Sequence, residues 1–177
     1  FWLGDAYLQG TGAVGRGGPG VDDGLNNGIR IIDDETARPG DGLTGEYFDN
    51  LDFTSRRLVR KDATVNFNWG SGSPDPLIGA DTFSVRWTGK LKPQFSETYT
   101  FRTTSDDGVR LWIDNQLVIN AWVDQAATVR TGTVTLEAGR LYDIKMEYYE
   151  RGGAAVASLA WSSPSQPLRI IPQSRLY

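Results

Sequence analysis

The sequence predicts an all-β fold of antiparallel strands, a sandwich or a barrel, preceded by a glycine- and aspartate-rich N-terminal extension. From residue 43 onward, apolar side chains recur at every second position in many short runs, which is the period of a half-buried strand. Turn-forming residues bound each run, and polar residues occupy the alternate positions. No stretch has the spacing of an amphipathic helix, and 21 glycines with one methionine among 177 residues are typical of a loop-rich β protein.

The first part of the chain, residues 1–42, differs in composition from the rest. Its stretch "GTGAVGRGGPGVDDGLNNG" buries little apolar surface, so residues 1–42 are predicted to be an extension or linker. "FWLGDAYLQ", residues 1–9, is apolar enough to dock as one extra strand. "GGPGVD", residues 17–22, matches the start of a calcium-binding repeat, but such repeats stack in several copies and the sequence has one.

Six runs carry the strand pattern in chain order: "TVNFNW", "FSVRWTG", "ETYTFRTT", "GVRLWID", "LYDIKMEYY" and "ASLAW". Alternate residues of each run are predicted to face the core, because neighbouring side chains of a strand point to opposite faces. The predicted core residues are Val65, Phe67, Trp69, Phe83, Val85, Trp87, Tyr99, Phe101, Val109, Leu111, Ile113, Tyr142, Ile144, Met146, Tyr148, Ala157, Leu159 and Trp161. Asp114-Asn115 and Ala138-Gly139 are predicted to form tight hairpin turns.

The composition excludes several classes of function. The chain has no cysteine and no histidine, which excludes disulfide scaffolds, cysteine nucleophiles, serine–histidine dyads and nearly every zinc site. A net charge of −4 disfavours nucleic acid as a partner, since neutralising phosphates needs clustered lysine and arginine. No apolar run approaches the length of a membrane span. Carboxylates, amides and backbone oxygens remain, and these suit calcium or neutral ligands such as sugars.

Two adjacent acids, Asp106 and Asp107, follow the strand run "ETYTFRTT" and precede Gly108. On a regular strand their side chains would point to opposite faces. One interpretation is an ordinary turn in which the carboxylates accept hydrogen bonds from nearby backbone amides. The other is a kinked or cis peptide bond that aims both carboxylates at one Ca²⁺ ion, which takes about six to eight oxygen ligands.

A series of motifs extends from Leu43 to Tyr177. They are "GLTGEYFDN", "FSVRWTGKL", "TYTFRTTSDDGVRLWIDNQLVINAW", "YDIKMEYYERGGAAVASLAW" and "IIPQSRLY". With these motifs the chain resembles the PA-fourteen domain, the module named after anthrax protective antigen and shared with flocculin-type adhesins and bacterial surface or sugar-degrading proteins. The resemblance implies an antiparallel β-sandwich and a ligand-binding domain over residues 43–177.

The resemblance also implies a calcium site. In sugar-binding members a cis Asp–Asp unit holds calcium and contacts sugar hydroxyls, and those roles carry over to Asp106 and Asp107. A second loop, here "ERGGAAV", completes the calcium shell, partly through main-chain carbonyls. Gly153 and Ala155 are the candidate carbonyl ligands, and Gly152 lets the backbone approach the ligand closely.

The second loop departs from the family pattern, because Arg151 stands where adhesin members commonly have asparagine. A guanidinium cannot ligate calcium. Either Glu150 or the loop carbonyls substitute, or the metal site is empty. In that case Arg151 pairs with Asp106 or Asp107 in place of the cation, or it binds a hydroxyl or carboxylate of the ligand.

Three further residues, in "AWVDQAA", are candidate ligand contacts. Trp122 follows a strand and either offers a flat face to a pyranose ring or plugs the end of the sandwich. Asp124 and Gln125 are polar and adjacent to it, although relatives often have histidine at the position of Gln125.

These observations predict a non-catalytic, calcium-dependent carbohydrate-binding module of a bacterial extracellular adhesin or surface protein. We expect a monomeric module within a larger protein, with saccharides as partners and no membrane insertion. A structural or protein-binding spacer without metal is the alternative, as is an accessory domain of a glycoside hydrolase. A glycosidase needs two carboxylates about 5–9.5 Å apart across the scissile bond. Adjacent acids are poor candidates, and nothing in the sequence selects a distant pair such as Glu97 and Glu150.

Overall fold

The structure, a computed structural model, describes residues 38–177, which form eleven strands, one short 3₁₀ turn at Gln173–Arg175 and no α-helix. Within this range no helix is long and apolar enough to cross a membrane. The predicted N-terminal docked strand and the single calcium-repeat motif lie outside the described residues. The strands are β1 (Leu43–Phe48), β2 (Arg56–Asp62), β3 (Asn66–Gly70), β4 (Phe83–Leu91), β5 (Glu97–Asp106), β6 (Gly108–Ile113), β7 (Gln116–Ala121), β8 (Thr128–Leu136), β9 (Tyr142–Glu150), β10 (Ala155–Ser163) and β11 (Gln166–Ile170).

The strands form two antiparallel sheets, which confirms the predicted sandwich. The six-stranded sheet has the order β2-β1-β4-β9-β6-β7, and the five-stranded sheet includes β11-β10-β5-β8. The fifth strand of the second sheet, β3, pairs with the first half of β10, while β11 pairs with its second half. Because consecutive strands β5 and β6 lie in different sheets, the chain crosses from one sheet to the other at the single residue Asp107.

The core between the sheets is built from the predicted alternating residues. Phe67 and Trp69 are partly buried and pack against the core, and the other predicted core residues are buried. Aromatic rings contribute much of this core: Trp87 stacks on Phe67 with 5.8 Å between ring centroids, and Tyr99 packs against Trp161 at 4.9 Å. Period-two alternation therefore predicted the inward faces correctly.

One of the two predicted hairpins is confirmed and the other is wrong. Asp114 and Asn115 both have positive φ, 50° and 65°, which is the geometry of the two-residue turn joining β6 to β7. Ala138-Gly139 does form a turn, with Gly139 at φ 77°. It joins β8 to β9, however, and these strands belong to different sheets, so no hairpin forms.

A buried carboxylate joins strands β1, β2 and β4. Asp62 is 6% exposed and accepts hydrogen bonds from the Tyr47 hydroxyl at 2.5 Å, the Trp87 indole N–H at 2.7 Å and Nε of Arg60 at 2.8 Å. Burial, followed by the charge and hydrogen bond of Asp62, raises the pKa of Tyr47. Each oxygen of this carboxylate has a donor, which is the condition for burying such a charge.

The two ends of the described chain meet at one end of the sandwich. The backbone N–H of Gly42 donates to the carbonyl of Leu176 at 3.0 Å, and Tyr177 exchanges backbone hydrogen bonds with Lys90. Strand β4 runs from this end to the other, a length of about 27 Å at ~3.3 Å per residue. The boundary at residue 42 stays a prediction, since residues 1–37 lie outside the described part.

Candidate metal and ligand site

The site lies where the chain crosses between the sheets, at the end of the sandwich away from Tyr177. The Asp106–Asp107 peptide bond is cis, which agrees with the second interpretation of the paired acids. Gly108 begins β6 against the ring of Tyr149, and a Cβ at this position would lie 2.1 Å from Cε1 of that ring. Only glycine fits here without moving the tyrosine.

A second crossover brings another carboxylate to the same point. Strand β9 ends at Glu150 in the six-stranded sheet, and β10 begins at Ala155 in the five-stranded sheet. Asp106, Asp107 and Glu150 each offer a carboxylate oxygen, and these oxygens all lie within 4.8 Å of one another. Asp107 is 6% exposed and Glu150 is fully buried. Three carboxylates this close repel one another unless a cation or protons neutralise them.

Both oxygens of Asp107 are fixed by backbone donors from two loops. Oδ1 accepts a hydrogen bond from the N–H of Gln125 at 2.9 Å, and Oδ2 accepts one from the N–H of Arg151 at 2.9 Å. The side-chain amide of Gln125 donates to Ser105 Oγ at 3.2 Å and to the carbonyl of Asp107 at 3.3 Å. Gln125 therefore holds Asp107 in place, and its role as a ligand contact stays a prediction.

Glu150 has few hydrogen-bond donors around its carboxylate. Its Oε2 lies 3.2 Å from the Tyr148 hydroxyl, whose single proton is shared with the nearer carbonyl of Asp106. Its Oε1 is buried and has no hydrogen-bond partner of good geometry within residues 38–177, although the backbone N–H of Gly152 acts on the same carboxyl. Burial, and then the charge of Asp107, raises the pKa of Glu150 to about 7. Burial and the same neighbour also raise the pKa of Asp106.

Arg151 contributes its backbone, and not its side chain, to the acidic cluster. Nε of Arg151 lies 3.1 Å from Oδ2 of Asp124, and the Tyr149 hydroxyl donates to Oδ1 of Asp124 at 2.6 Å. The guanidinium of Arg151 thus pairs with Asp124. It does not pair with Asp106 or Asp107, as it would if it replaced a cation there. The Arg151 and Asp124 side chains are 60% and 53% exposed, so both can reach a ligand.

Trp122 is half-buried and packs on three sides. Its ring meets Tyr149 edge-on at 4.6 Å, stacks on Phe53 at 6.0 Å, and lies 4.0 Å from the Arg110 guanidinium. Together with Leu51, Val123, Asp124, Tyr149 and Arg151 it lines a depression of ≈ 350 Å³ beside the acids. The ring lines the depression while Phe53 and Arg110 pack against it, and its contact with a pyranose ring stays a prediction.

The remaining predicted site residues lie in the second loop. Gly152 and Gly153 are exposed, and Gly153 has φ 109° and donates its N–H to Oδ1 of Asp81 at 3.3 Å. Ala155 is fully buried at the start of β10. The carbonyls of Gly153 and Ala155 stay predicted metal ligands.

Sequence reasoning missed Tyr149, Leu51 and Val123 as parts of the depression. Tyr149 could have been identified from the sequence, because it occupies a position on the polar face of β9 directly before Glu150. Leu51 and Val123 lie in loops where the alternation pattern does not apply. Their proximity to the acids depends on how the loops fold.

Comparison with known proteins identifies the family of this chain. The family model of the PA14 domain matches residues 39–175. The chain belongs to the PA14 domain family. The resemblance drawn from the motifs is thereby confirmed, together with its β-sandwich.

Two curated proteins are similar to this PA14 domain. The anti-sigma-I factor RsgI3 of Acetivibrio thermocellus is 56% identical over 138 residues, which cover 78% of this chain and 21% of that protein. The protective antigen of Bacillus anthracis is 32% identical over 116 residues, covering 64% of this chain and 14% of that protein. The chain therefore spans only a small part of the curated relatives it matches.

Solved structures give the same architecture. An anti-sigma factor domain-containing protein superposes with a TM-score of 0.76 at 57% identity, covering 77% of this chain and 47% of that chain. The PA14 sugar-binding domain from an RTX adhesin superposes with a TM-score of 0.60 at 22% identity, covering 77% of this chain and 98% of that chain. At this lower identity the second likeness establishes the fold alone.

Proposed function

We propose that this PA14 domain is a calcium-dependent saccharide-binding module without catalytic activity of its own. The observation that carries the proposal is the convergence of Asp106, Asp107 and the buried, unpaired Oε1 of Glu150. A buried carboxylate oxygen without a donor is costly, and a cation would satisfy it. Carboxylate and carbonyl oxygens are the ligands that Ca²⁺ prefers.

The chain's own residues are arranged to hold such an ion. Asp106, Asp107 and Glu150 would supply the carboxylates, with the carbonyls of Gly153 and Ala155 as further ligands. The backbone donors of Gln125 and Arg151 fix Asp107 in advance, which lowers the ordering cost of binding. When bound, calcium would offer coordination positions to neighbouring hydroxyls of a sugar.

The surroundings supply hydrogen bonds and apolar contact for that sugar. Asp106 is partly exposed and accepts hydroxyl protons in charge-assisted bonds. Arg151 is a donor and Asp124 an acceptor beside the depression, while Trp122 and Leu51 contribute apolar surface. So few contacts give weak binding of a single sugar, on the order of submillimolar to millimolar. Repeated display would raise the effective affinity.

The geometry favours binding over glycoside hydrolysis. Glu97 begins β5 and hydrogen-bonds to Ser165, which lowers the pKa of its carboxyl. Asp106 ends the same strand, about 30 Å away at ~3.3 Å per residue. Glu150 lies beside Asp106, so Glu97 and Glu150 are too far apart for a retaining or inverting pair.

Two settings suit this binding module. An adhesin or other bacterial surface protein was our expectation, and a sugar-binding domain from an adhesin shares the fold. The identity of 56% to an anti-sigma-I factor favours a second candidate, in which the domain is the recognition part of a regulatory protein. In that setting saccharide binding would report the presence of the sugar outside the cell and would not anchor the cell.

Calorimetric titration of Ca²⁺ into chelator-treated protein tests the proposal. We expect one site, lost in Asp107→Asn and retained in Glu137→Gln, which removes an exposed carboxylate at the other end of the sandwich. A glycan array with and without calcium then identifies the sugar. An absence of calcium binding in the unaltered protein would contradict the proposal and favour a spacer domain.

A further inference from the structure

The side-chain amide of Gln125 makes hydrogen bonds through both its nitrogen and its oxygen. Nε2 donates to the carbonyl of Asp107 and to Oγ of Ser105, and Oε1 accepts a hydrogen bond from Nη2 of Arg130 at 3.0 Å. Ser105 is fully buried near the end of β5, whereas Arg130 is exposed on β8. The amide therefore connects an exposed arginine to the main chain of a candidate metal ligand.

The chemistry of the partners selects one orientation of this amide. An arginine side chain only donates hydrogen bonds, so the atom of Gln125 that faces Arg130 has to be the oxygen. A backbone carbonyl only accepts, so the atom that faces the carbonyl of Asp107 has to be the nitrogen. Rotating the amide by half a turn would place donors together at Arg130 and acceptors together at Asp107. Each partner thus enforces the orientation that the other one needs.

Gln125 holds Asp107 at two points. Its backbone N–H donates to Oδ1 of Asp107 at 2.9 Å, and its side chain donates to the carbonyl of the same residue at 3.3 Å. One hydrogen bond restrains the carboxylate and the other restrains the main chain that carries it. Restraint that exists before the ion arrives lowers the ordering cost of binding it.

The charge and the hydrogen bond of Arg130 act on a bound cation in opposite directions. Arg130 forms no ion pair within residues 38–177, and its one hydrogen bond there is the one to Gln125. It lies opposite Thr103, three residues before Asp106, which is about 10 Å along the strand at ~3.3 Å per residue. A positive charge near a cation site disfavours the cation. A benefit of Arg130 to calcium binding therefore has to come from its hydrogen bond.

We propose that Arg130 is a positioning residue of the candidate metal site and acts through the side-chain amide of Gln125. This inference rests on the proposed calcium binding. Arg130 holds Oε1 of the amide, the amide nitrogen is thereby directed at the main chain of Asp107, and the carboxylate of Asp107 is kept in place for the ion. Arg130 itself contacts none of the three acids of the cluster.

Calorimetric titration of Ca²⁺ into chelator-treated variants tests this inference, in about 0.15 M salt to screen exposed charges. Arg130→Ala should weaken calcium binding about two- to fivefold, the net value of one ordinary hydrogen bond. Gln125→Ala retains the backbone N–H and should weaken calcium binding at least as much. The double variant should bind calcium as Gln125→Ala does, because a residue that acts only through Gln125 has no effect once that side chain is removed.

Arg102→Ala is the matched control. Arg102 lies on β5, four residues before Asp106, and forms no ion pair within residues 38–177. Removing its charge should leave calcium affinity unchanged or slightly higher. Thermal melting in chelator checks that each variant is folded.

Two results would overturn the role of Arg130 while leaving the proposed function standing. The first is calcium binding by Arg130→Ala as tight as in the unaltered protein or tighter, which is the effect of its charge alone. The second is a double variant in which the two separate losses multiply. An equal loss in Arg102→Ala would also overturn it. An absence of calcium binding in the unaltered protein is a different result, and it would overturn the proposed function together with this inference.

Discussion

The backbone N–H of Arg151 donates to Oδ2 of Asp107 at 2.9 Å, which joins the two crossovers of the sandwich to each other. One crossover carries the paired acids and the other carries Glu150. A change at either crossover should therefore affect both the candidate metal site and the ligand depression, but not to the same extent.

Glu150→Gln should weaken calcium binding while leaving the chelated protein as stable or more stable. The variant removes one carboxylate ligand, and it also removes the repulsion between buried carboxylates. Loss of one charged ligand should reduce calcium affinity about tenfold or more. Calorimetry and thermal melting, with and without calcium, measure the two effects. Calcium affinity equal to that of Glu137→Gln would show that Glu150 is not a ligand.

The stability of the chelated protein should fall as pH rises from about 5 to 7. The pKa of Glu150 is raised to about 7 from 4.5, so the folded state retains a proton that the unfolded state has lost in this range. The folded state then binds more protons, and the free energy of unfolding decreases with pH. Urea unfolding at several pH values measures the slope. Glu150→Gln should flatten it, and an unchanged slope would contradict the assignment.

Gly108→Ala should damage the ligand site, because the new Cβ would meet the Tyr149 ring and displace it. Displacement would break the hydrogen bond from Tyr149 to Asp124 and reshape the depression. The double variant Gly108→Ala, Tyr149→Ala should recover part of the lost stability. Gly152→Ala is the control, since a Cβ there meets only Asp81 Oδ1, at 3.9 Å. Thermal melting compares the variants, and equal effects of both glycine substitutions would contradict this explanation.

Asp124→Ala and Arg151→Ala should weaken saccharide binding without weakening calcium binding. Their side chains bind each other at the rim of the depression and do not contact the acidic cluster. Each variant should reduce saccharide affinity by about three- to tenfold, the net value of one ordinary, solvent-exposed hydrogen bond. Titrations of calcium and of the sugar selected by the glycan array separate the two properties. A parallel loss of calcium affinity would place these residues in the metal site.

Asp62→Ala should strongly lower the free energy of unfolding, although Asp62 lies away from the candidate site. It leaves the Tyr47 hydroxyl, the Trp87 N–H and the Arg60 guanidinium without their shared acceptor. The expected loss is about 3 kcal/mol in the free energy of unfolding. Arg56→Ala, which breaks an exposed ion pair with Glu46, should cost less than ~1 kcal/mol. Urea unfolding measures both, and similar values would show that the buried network contributes little.

Period-two alternation predicted the six strands that carry most of the core. Strands β2, β8 and β11 have one buried residue each, and the alternation did not identify them. Val109, Leu111 and Ile113 could be assigned inward from their spacing alone. The turn at Ala138-Gly139 could not be assigned correctly, because the residues of a turn specify its local backbone and not the sheet in which the next strand pairs. Sheet pairing depends on contacts between residues that are distant in sequence.

The candidate site was predictable only in part. The adjacent acids and the family motifs identified Asp106 and Asp107. Glu150 was predicted only as one of several possible substitute ligands, because its place beside Asp107 depends on β9 and β10 lying in different sheets. The direction of the Arg151 side chain depends on Asp124, 27 positions earlier in the chain, and no local pattern contains that pairing.

The pairing of Gly42 with Leu176 has a mechanical consequence. Both described chain ends leave the sandwich at the same end, and the acidic cluster lies at the other, about 27 Å away along β4. Tension between a ligand held at the cluster and the polypeptide at these ends would act along the strands. The inter-strand hydrogen bonds would then be loaded together in shear and not opened one after another. If the proposed saccharide binds at the cluster, the strands would share the load that it places on the domain.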